Sequence, residues 1–284
     1  VSVFSKILRR SRPVVGVLRF SGPIGISSRF KPGVSFENAA PQIDEAFSLG
    51  GLKAVALVIN SPGGSPVQSA QIMRRIRDLA REKDVPVLAF TEDIAASGGY
   101  MLALAGDEIF AHEASIIGSI GVIAGGFGFT GLMEKLGVER RLYTAGTNKA
   151  RLDSFSPEKP EDVAWLKSLQ AQIHDYFKDM VKERRGRRLK TETDGLFTGD
   201  VWLGGPAVDI GLVDAVGDVR TVMRQRFGKK VKFRTIGARK GLLSGLFGGG
   251  GAQASSHALM ADKGLADDLL ASIEARLIWG RFGL

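Results

Sequence analysis

Three short stretches hold residue types that could do chemistry together. Asn60-Ser61-Pro62-Gly63-Gly64-Ser65 and Ala95-Ala96-Ser97-Gly98-Gly99-Tyr100 each follow an apolar run of β type. Two Gly-rich strand exits on one sheet would then sit side by side, one offering backbone N–H groups and the other a hydroxyl. Farther along, Ala145-Gly146-Thr147-Asn148-Lys149-Ala150 sets a lysine among small residues, where a water-poor surround would leave its amine free to take a proton. A serine, a lysine and two backbone donors are the parts of a Ser/Lys hydrolase.

Each of these residues also has a plainer reading. Ser97 stands where a strand exit meets a helix start, a position that suits an N-cap hydroxyl. Gly98 and Gly99 favour the nucleophile, because they admit another backbone closely and leave the Gly98 N–H to face a developing oxyanion. Asn60 to Gly64 could be only a tight turn; its functional reading is a second donor, the N–H of Gly64. A lone lysine is usually a solvated surface charge. Other bases are few, since the chain has three histidines and no cysteine. His112 follows an apolar strand and suits a core, His174 lies in an amphipathic helix beside Asp175, and His257 lies in a Gly-rich stretch. None has triad spacing, so Lys149 is the simplest candidate.

The elements that must position these residues can be read from hydrophobic period. Strands are expected over Val14 to Phe20, Ala54 to Ile59, Val85 to Phe90, Glu108 to Ala111, Val138 to Thr144 and Val231 to Ile236. Helices are expected over Phe36 to Leu49, Val67 to Glu82, Ser97 to Ala105 and Pro160 to Glu183, the last with Val163, Leu166, Leu169, Ile173, Phe177 and Met180 on one face. Strand and helix alternate, and the strands are apolar throughout, which argues for an α/β fold with a mainly parallel sheet and right-handed crossovers.

Composition sets outer bounds. A chain of 284 residues with 44% hydrophobic content can bury one substantial core. The absence of cysteine removes disulfides, thiolate nucleophiles and Cys-based zinc sites together. A net charge of +9 is concentrated in an N-terminal arm free of acidic residues before Glu37 and in Arg184, Arg185, Arg187, Arg188 and Lys190. Solvated faces, or attraction to anionic lipid, are expected; no aromatic platform or binding motif supports a nucleic-acid partner. The uncharged stretch Ala114 to Met133 is too rich in glycine for a spanning helix and is expected to form buried turns and short strands. Within it, Ile116 to Phe129 is the candidate groove wall. No transmembrane segment is expected, and the location is read as cytoplasmic or peripheral to a membrane.

Taken together, Asn60-Ser61-Pro62-Gly63-Gly64, Ala96-Ser97-Gly98-Gly99-Tyr100, Ile117-Gly118-Ser119-Ile120-Gly121, Gly146 to Lys149 and Gly211-Leu212-Val213-Asp214 resemble the signal peptide peptidase A type serine proteases in their short, single-domain form. The resemblance covers about Val14 to Val219. It implies a crotonase/Clp-protease-like fold, with Ser97 as nucleophile, Lys149 as general base, Ser119 orienting the lysine amine, and the N–H groups of Gly64 and Gly98 as oxyanion hole. It implies no cofactor and no metal, peptide substrates such as signal-peptide remnants, and a homo-oligomer whose sites are shared between subunits. Asn148 and Ser154 depart from the family pattern, standing where an aromatic residue and a proline are common. The expected organisation is a basic arm over 1–12, the protease-like domain over 13–239, a Gly-rich linker over 240–258 and an amphipathic helix over 259–284. The arm and the terminal helix with Trp279 and Phe282 could each meet an anionic membrane surface; the helix could instead pack on a neighbouring subunit or on its own core. Two other readings fit the same outline, a crotonase-type acyl-CoA enzyme and a non-catalytic membrane-associated scaffold.

Overall fold

Ala54 to Ile59 are buried on both faces of a sheet, as an unbroken apolar run predicts for a central parallel strand. The computed structural model describes residues 12–26, 33–237, 273 and 276–284. In chain order the first elements are β1 (Val14–Ser21), α1 (Phe36–Phe47), β2 (Leu52–Ser61), α2 (Pro66–Lys83), β3 (Val87–Ala96), α3 (Gly98–Ala103), β4 (Glu108–Ala111) and β5 (Ile116–Gly118). They are followed by α4 (Thr130–Leu136), α5 (Pro160–Arg185), β6 (Val201–Leu203), α6 (Gly204–Asp209), β7 (Ala215–Val216), α7 (Val219–Phe227) and β8 (Lys232–Thr235). The fold is the expected α/β, crotonase/Clp-protease-like one, a mainly parallel sheet with flanking helices.

The sheet runs β6-β5-β3-β2-β1-β8, and every ladder is parallel except β5 with β6. β3 is the pivot because it pairs with two neighbours on one side. Leu88 to Thr91 pair with β4, which continues to β7, whereas Ile94 to Ala96 pair with β5. Between these ladders lie Glu92 and Asp93, which are bonded outward. Both terminal nitrogens of Arg19 reach Glu92 at 2.7–2.8 Å, and Asn60 Nδ2 donates to Asp93 Oδ2 at 2.6 Å. The charged pair hides the second half of β3 in the sequence, and that half carries the chain to Ser97.

Helices cover both faces. α2 opens on Ser65, whose Oγ accepts from the Gln68 N–H, and on Pro66, whose missing N–H costs nothing in the first turn. Ile72, Ile76 and Leu79 from its inner stripe join Ile43, Leu57, Ile59, Phe177 and Met180 in the larger core. On the opposite face Met223 of α7 packs with Val15, Val17, Phe90 and Phe110, the two phenylalanines stacked at 5.2 Å.

Several expectations are corrected. Residues 138–144 form no strand and are exposed, because no strand among the described residues lies beside them. Of Ala114 to Met133, burial lasts only to Ile120, and the stretch ends in α4. On α5 only Phe177 and Met180 of the predicted apolar face are buried; Leu169 and Ile173 are open. The basic run is not merely solvated. Arg185, 1% exposed, donates from both terminal nitrogens to Asp214 at 2.8 and 3.0 Å and from Nε to the Gly211 carbonyl at 2.7 Å, and Arg188 adds a bond to Asp214 at 3.0 Å. The arm apart from Arg12, the linker over 240–258 and most of the terminal segment lie outside the described residues.

Burial opposes the charge of Asp214, but the Arg185 guanidinium, the Ile109 N–H and Arg188 together hold its carboxyl below the ordinary carboxylate range. A lowered native value stabilises the fold above the ordinary carboxylate pKa, and this stability is lost as pH falls through the native value. Asp214→Ala should cost about 3–5 kcal/mol in denaturant unfolding at neutral pH, since it strands a buried guanidinium. Asp214→Asn should flatten the loss of stability that the wild type shows below about pH 4; identical acid limbs would refute the role given to this pair.

Candidate active site

β3 ends at Ala96 and α3 begins at Gly98, so Ser97 alone makes the turn between them. Its backbone angles, φ 51° and ψ −122°, cost an L-residue about 1–3 kcal/mol unless its surroundings fix them. They are fixed here: the Ser97 N–H donates to the Gly118 carbonyl at 2.8 Å, and its carbonyl accepts from the Met101 N–H at 3.1 Å. The hydroxyl does not cap α3, and among the described residues it has no hydrogen-bond partner. The N-cap reading of Ser97 therefore fails.

The other Gly-rich exit comes directly against this turn. A Cβ built on Gly63, where φ is +105°, would lie 2.8 Å from Ser97 Cβ and 2.9 Å from the Gly98 nitrogen, so no side chain fits between the two backbones. Gly64, with φ +138°, stands in a parallel bridge opposite Ile24. The bonds of that bridge run from the Ile24 N–H to the Gly63 carbonyl and from the Ser65 N–H to the Ile24 carbonyl, both at 2.8 Å. The N–H of Gly64 itself thus faces away from Ile24. Neither it nor the N–H of Gly98 donates to another described residue.

Ser119 follows β5 and, like Ser97, has φ 51°. Its N–H donates to the Asp200 carbonyl at 2.7 Å, its carbonyl accepts from the Gly121 N–H at 2.9 Å, and His174 Nε2 lies 3.0 Å from the carbonyl of Ile120. Behind Ser97, Tyr100 is fully buried and donates its hydroxyl to the Leu212 carbonyl at 2.7 Å. Burial pushes its phenol well above the ordinary range, so it stays neutral and structural.

Ser97, Gly64, Gly98 and Ser119 line one cleft of about 630 Å³. Its walls include Ile24, Met101, Ile173 and Phe177, and the expected groove wall contributes Ser119, Gly121, Val122 and Ile123 but nothing beyond. Ile278, Arg281 and Phe282 of the terminal segment also line the cleft. Arg281 is the one charged side chain in the lining among the described residues, and no carboxylate is present. Lys149 is elsewhere: it sits in an exposed turn closed by its N–H on the Gly146 carbonyl at 3.2 Å and does not line the cleft. Four of the five predicted site residues are together and the lysine is apart from them. His112 accepts the Ala114 N–H at Nδ1, at 3.1 Å, and lines a different hollow with Glu92 and Asp93. His257 lies outside the described residues. Ile24 and Asp200 were not foreseen, because each bonds to the site loops through its backbone.

Residues 79–232, just over half of the chain, match the model of peptidase family S49. The chain belongs to this family. Membership bears out the expected kinship. A Brucella abortus protein named Na(+)/H(+) antiporter NhaA is 48% identical over 98% of this chain, but the match takes in only 38% of that protein. No helix among the described residues is long and apolar enough to cross a membrane. A protein of Enterococcus faecium that bears the name signal peptide peptidase SppA is 34% identical over 75% of this chain and 60% of its own length. The chain thus spans less than two thirds of the length of each of these two relatives. In fold it is similar to a lysine-to-alanine mutant of 1510-N, a membrane-bound stomatin-specific protease solved with a substrate peptide, with a TM-score of 0.51, 13% identity, and coverage of 92% of this chain and 99% of that one.

The contact between the two strand exits can be tested by stability. Gly63→Ala should lower the unfolding free energy by more than about 1 kcal/mol. Gly125→Ala, where a Cβ would meet nothing within 4 Å, should leave it nearly unchanged. Equal melting temperatures for the two variants would contradict the close approach.

Proposed function

We propose that the protein is a Ser/Lys endopeptidase acting on extended, largely apolar peptides, signal-peptide remnants among them. The observation that carries this reading is that, among the described residues, the Ser97 hydroxyl on its strained turn and the two backbone N–H groups beside it have no partners, in a cleft lined by one charge. Ser97 Oγ attacks the scissile carbonyl while a lysine amine takes its proton, and the N–H groups of Gly64 and Gly98 hold the oxyanion. The same lysine protonates the leaving amine, and water then releases the acyl group. A crotonase-type acyl-CoA enzyme would need acid/base carboxylates, and the cleft has none among the described residues.

The lysine is Lys149, delivered by a second copy of the chain. What supports this is the character of the segment that carries it. From residue 123 to 143, Ile123, Phe127, Leu132, Leu136, Val138 and Tyr143 are exposed, Phe127 at 74% and Tyr143 at 89%. An apolar surface of this density on a monomer marks an interface. The unpaired 138–144 run would find its neighbour there. In such an assembly Ser119, next to Ser97 in the cleft, orients the incoming amine.

A serine-reactive acylating probe should modify Ser97 in the wild type and nothing in Ser97→Ala, as located by mass spectrometry of the digested protein. Ser97→Ala and Lys149→Ala should each lose peptide cleavage by at least about 10³-fold, since each removes a group of the acyl-transfer pair. Co-refolded together they should regain a measurable part of it, because some boundaries would pair an intact serine with an intact lysine. Verified mixed oligomers that stay inactive would rule out the shared site and leave a dyad within one chain.

A further inference from the structure

We infer that His174 is a positioning residue of the site: its imidazole holds the Ser119 turn in register with Ser97. The turn is tied down at four points. Ser97 N–H bonds to the Gly118 carbonyl, Ser119 N–H to the Asp200 carbonyl, Gly121 N–H to the Ser119 carbonyl, and His174 Nε2 meets the Ile120 carbonyl at 3.0 Å. The first three ties are backbone to backbone and follow from the path of the chain. The fourth is the one made by a side chain, from an element 54 residues away.

The chemistry of this contact is simple. A carbonyl can only accept, so the imidazole carries its proton on Nε2 and donates. The Ile120 side chain is fully buried, and its partly buried carbonyl would lose its partner if the imidazole were removed. The neighbouring Ser119 has a positive φ, a conformation that lasts only while its surroundings over-determine it. Loosening Ile120 therefore acts on the residue one position away whose hydroxyl must be placed to within tenths of an ångström. Ile173 and Phe177, which flank His174 on α5, are both in the cleft wall. One helix thereby sets the substrate wall and the serine pair together. The acidic neighbour Asp175 is occupied by Lys178 at 2.6 Å.

This inference rests on the proposed roles of Ser97 and Ser119, and the experiment separates the two. The full-length protein is assayed with an apolar reporter peptide and, independently, for the rate at which Ser97 takes up an acylating probe. His174→Leu, which has no donor, should lower kcat about tenfold or more while KM stays within about twofold. His174→Gln, whose side-chain amide still reaches the carbonyl with an N–H, should recover most of the loss, and His174→Asn, one methylene shorter, should not. A purely structural role would not separate kcat from KM or tell Gln from Asn at equal melting temperature. If His174→Leu fails to fold, the Gln and Asn pair decides alone. Folded His174→Leu with wild-type kcat, or Gln no better than Asn, overturns the inference and leaves the serine reading standing. Absence of peptide cleavage and of Ser97 labelling in the wild type would instead overturn the reading on which it rests.

Discussion

The site exists because two stretches of backbone pass closer than any side chain would allow. Gly63 lies against Ser97 and the Gly98 nitrogen, and the Gly64 bridge to Ile24 turns one more N–H toward the same space. Everything else serves that approach. β2 and β3 must be adjacent and parallel so that both exits leave the same end of the sheet. Their register shifts between Ile59 and Ser61, which lets β3 run on to Ser97 while β2 ends at Ser61. α2 and α3, starting at these exits, carry the core contacts that hold the loops in place. The strain at Ser97 is met by this framework, as expected where a conformation of low population is kept for its geometry.

The sheet solves a second problem by dividing. β3 gives its first half to β4 and its second to β5, so the Ser119 turn arrives beside the serine without a further crossover. The cost is a stretch of β3 bearing charge in the middle of a buried strand. Arg19 and Asn60 answer Glu92 and Asp93 from the two preceding strands, and β3 continues across the break. On the far side of α3, Arg185 and Asp214 lock the end of α5 to the turn before β7, and Tyr100 joins the same region through the Leu212 carbonyl.

Much of this was legible in the sequence where the local pattern and the tertiary context agree. Val14 to Phe20, Phe36 to Leu49, Val67 to Glu82 and Glu108 to Ala111 sit within a few residues of the observed elements, because each has a period that only one environment satisfies. That Ser97, Gly64 and Gly98 would lie together was legible because each follows an apolar strand on neighbouring exits, and they line one cleft. The second half of β3 was hidden by Glu92 and Asp93, whose partners come from other strands. Val138 to Thr144 has the β-favouring Val138, Tyr143 and Thr144 but no strand beside it among the described residues, and residue types cannot say where a partner comes from. Arg185 looked like one more surface cation; its burial depends on Asp214, 29 residues on, and pairing at that range leaves no local trace. Asp200 and Ile24 act through main-chain atoms, for which side-chain identity carries no signal.

The glycine exits also divide the chain into parts that can and cannot vary. Around Gly63 and Gly98 an added methyl group would strike backbone or a neighbouring side chain, whereas at Gly125, Gly126, Gly128 and Gly131 it would meet nothing within 4 Å. A lineage or a laboratory library drawing on this scaffold would therefore find its freedom in the projecting segment after Ile120. Change would accumulate at those open glycines, while the closely packed pair of turns would pass unchanged from one descendant to the next.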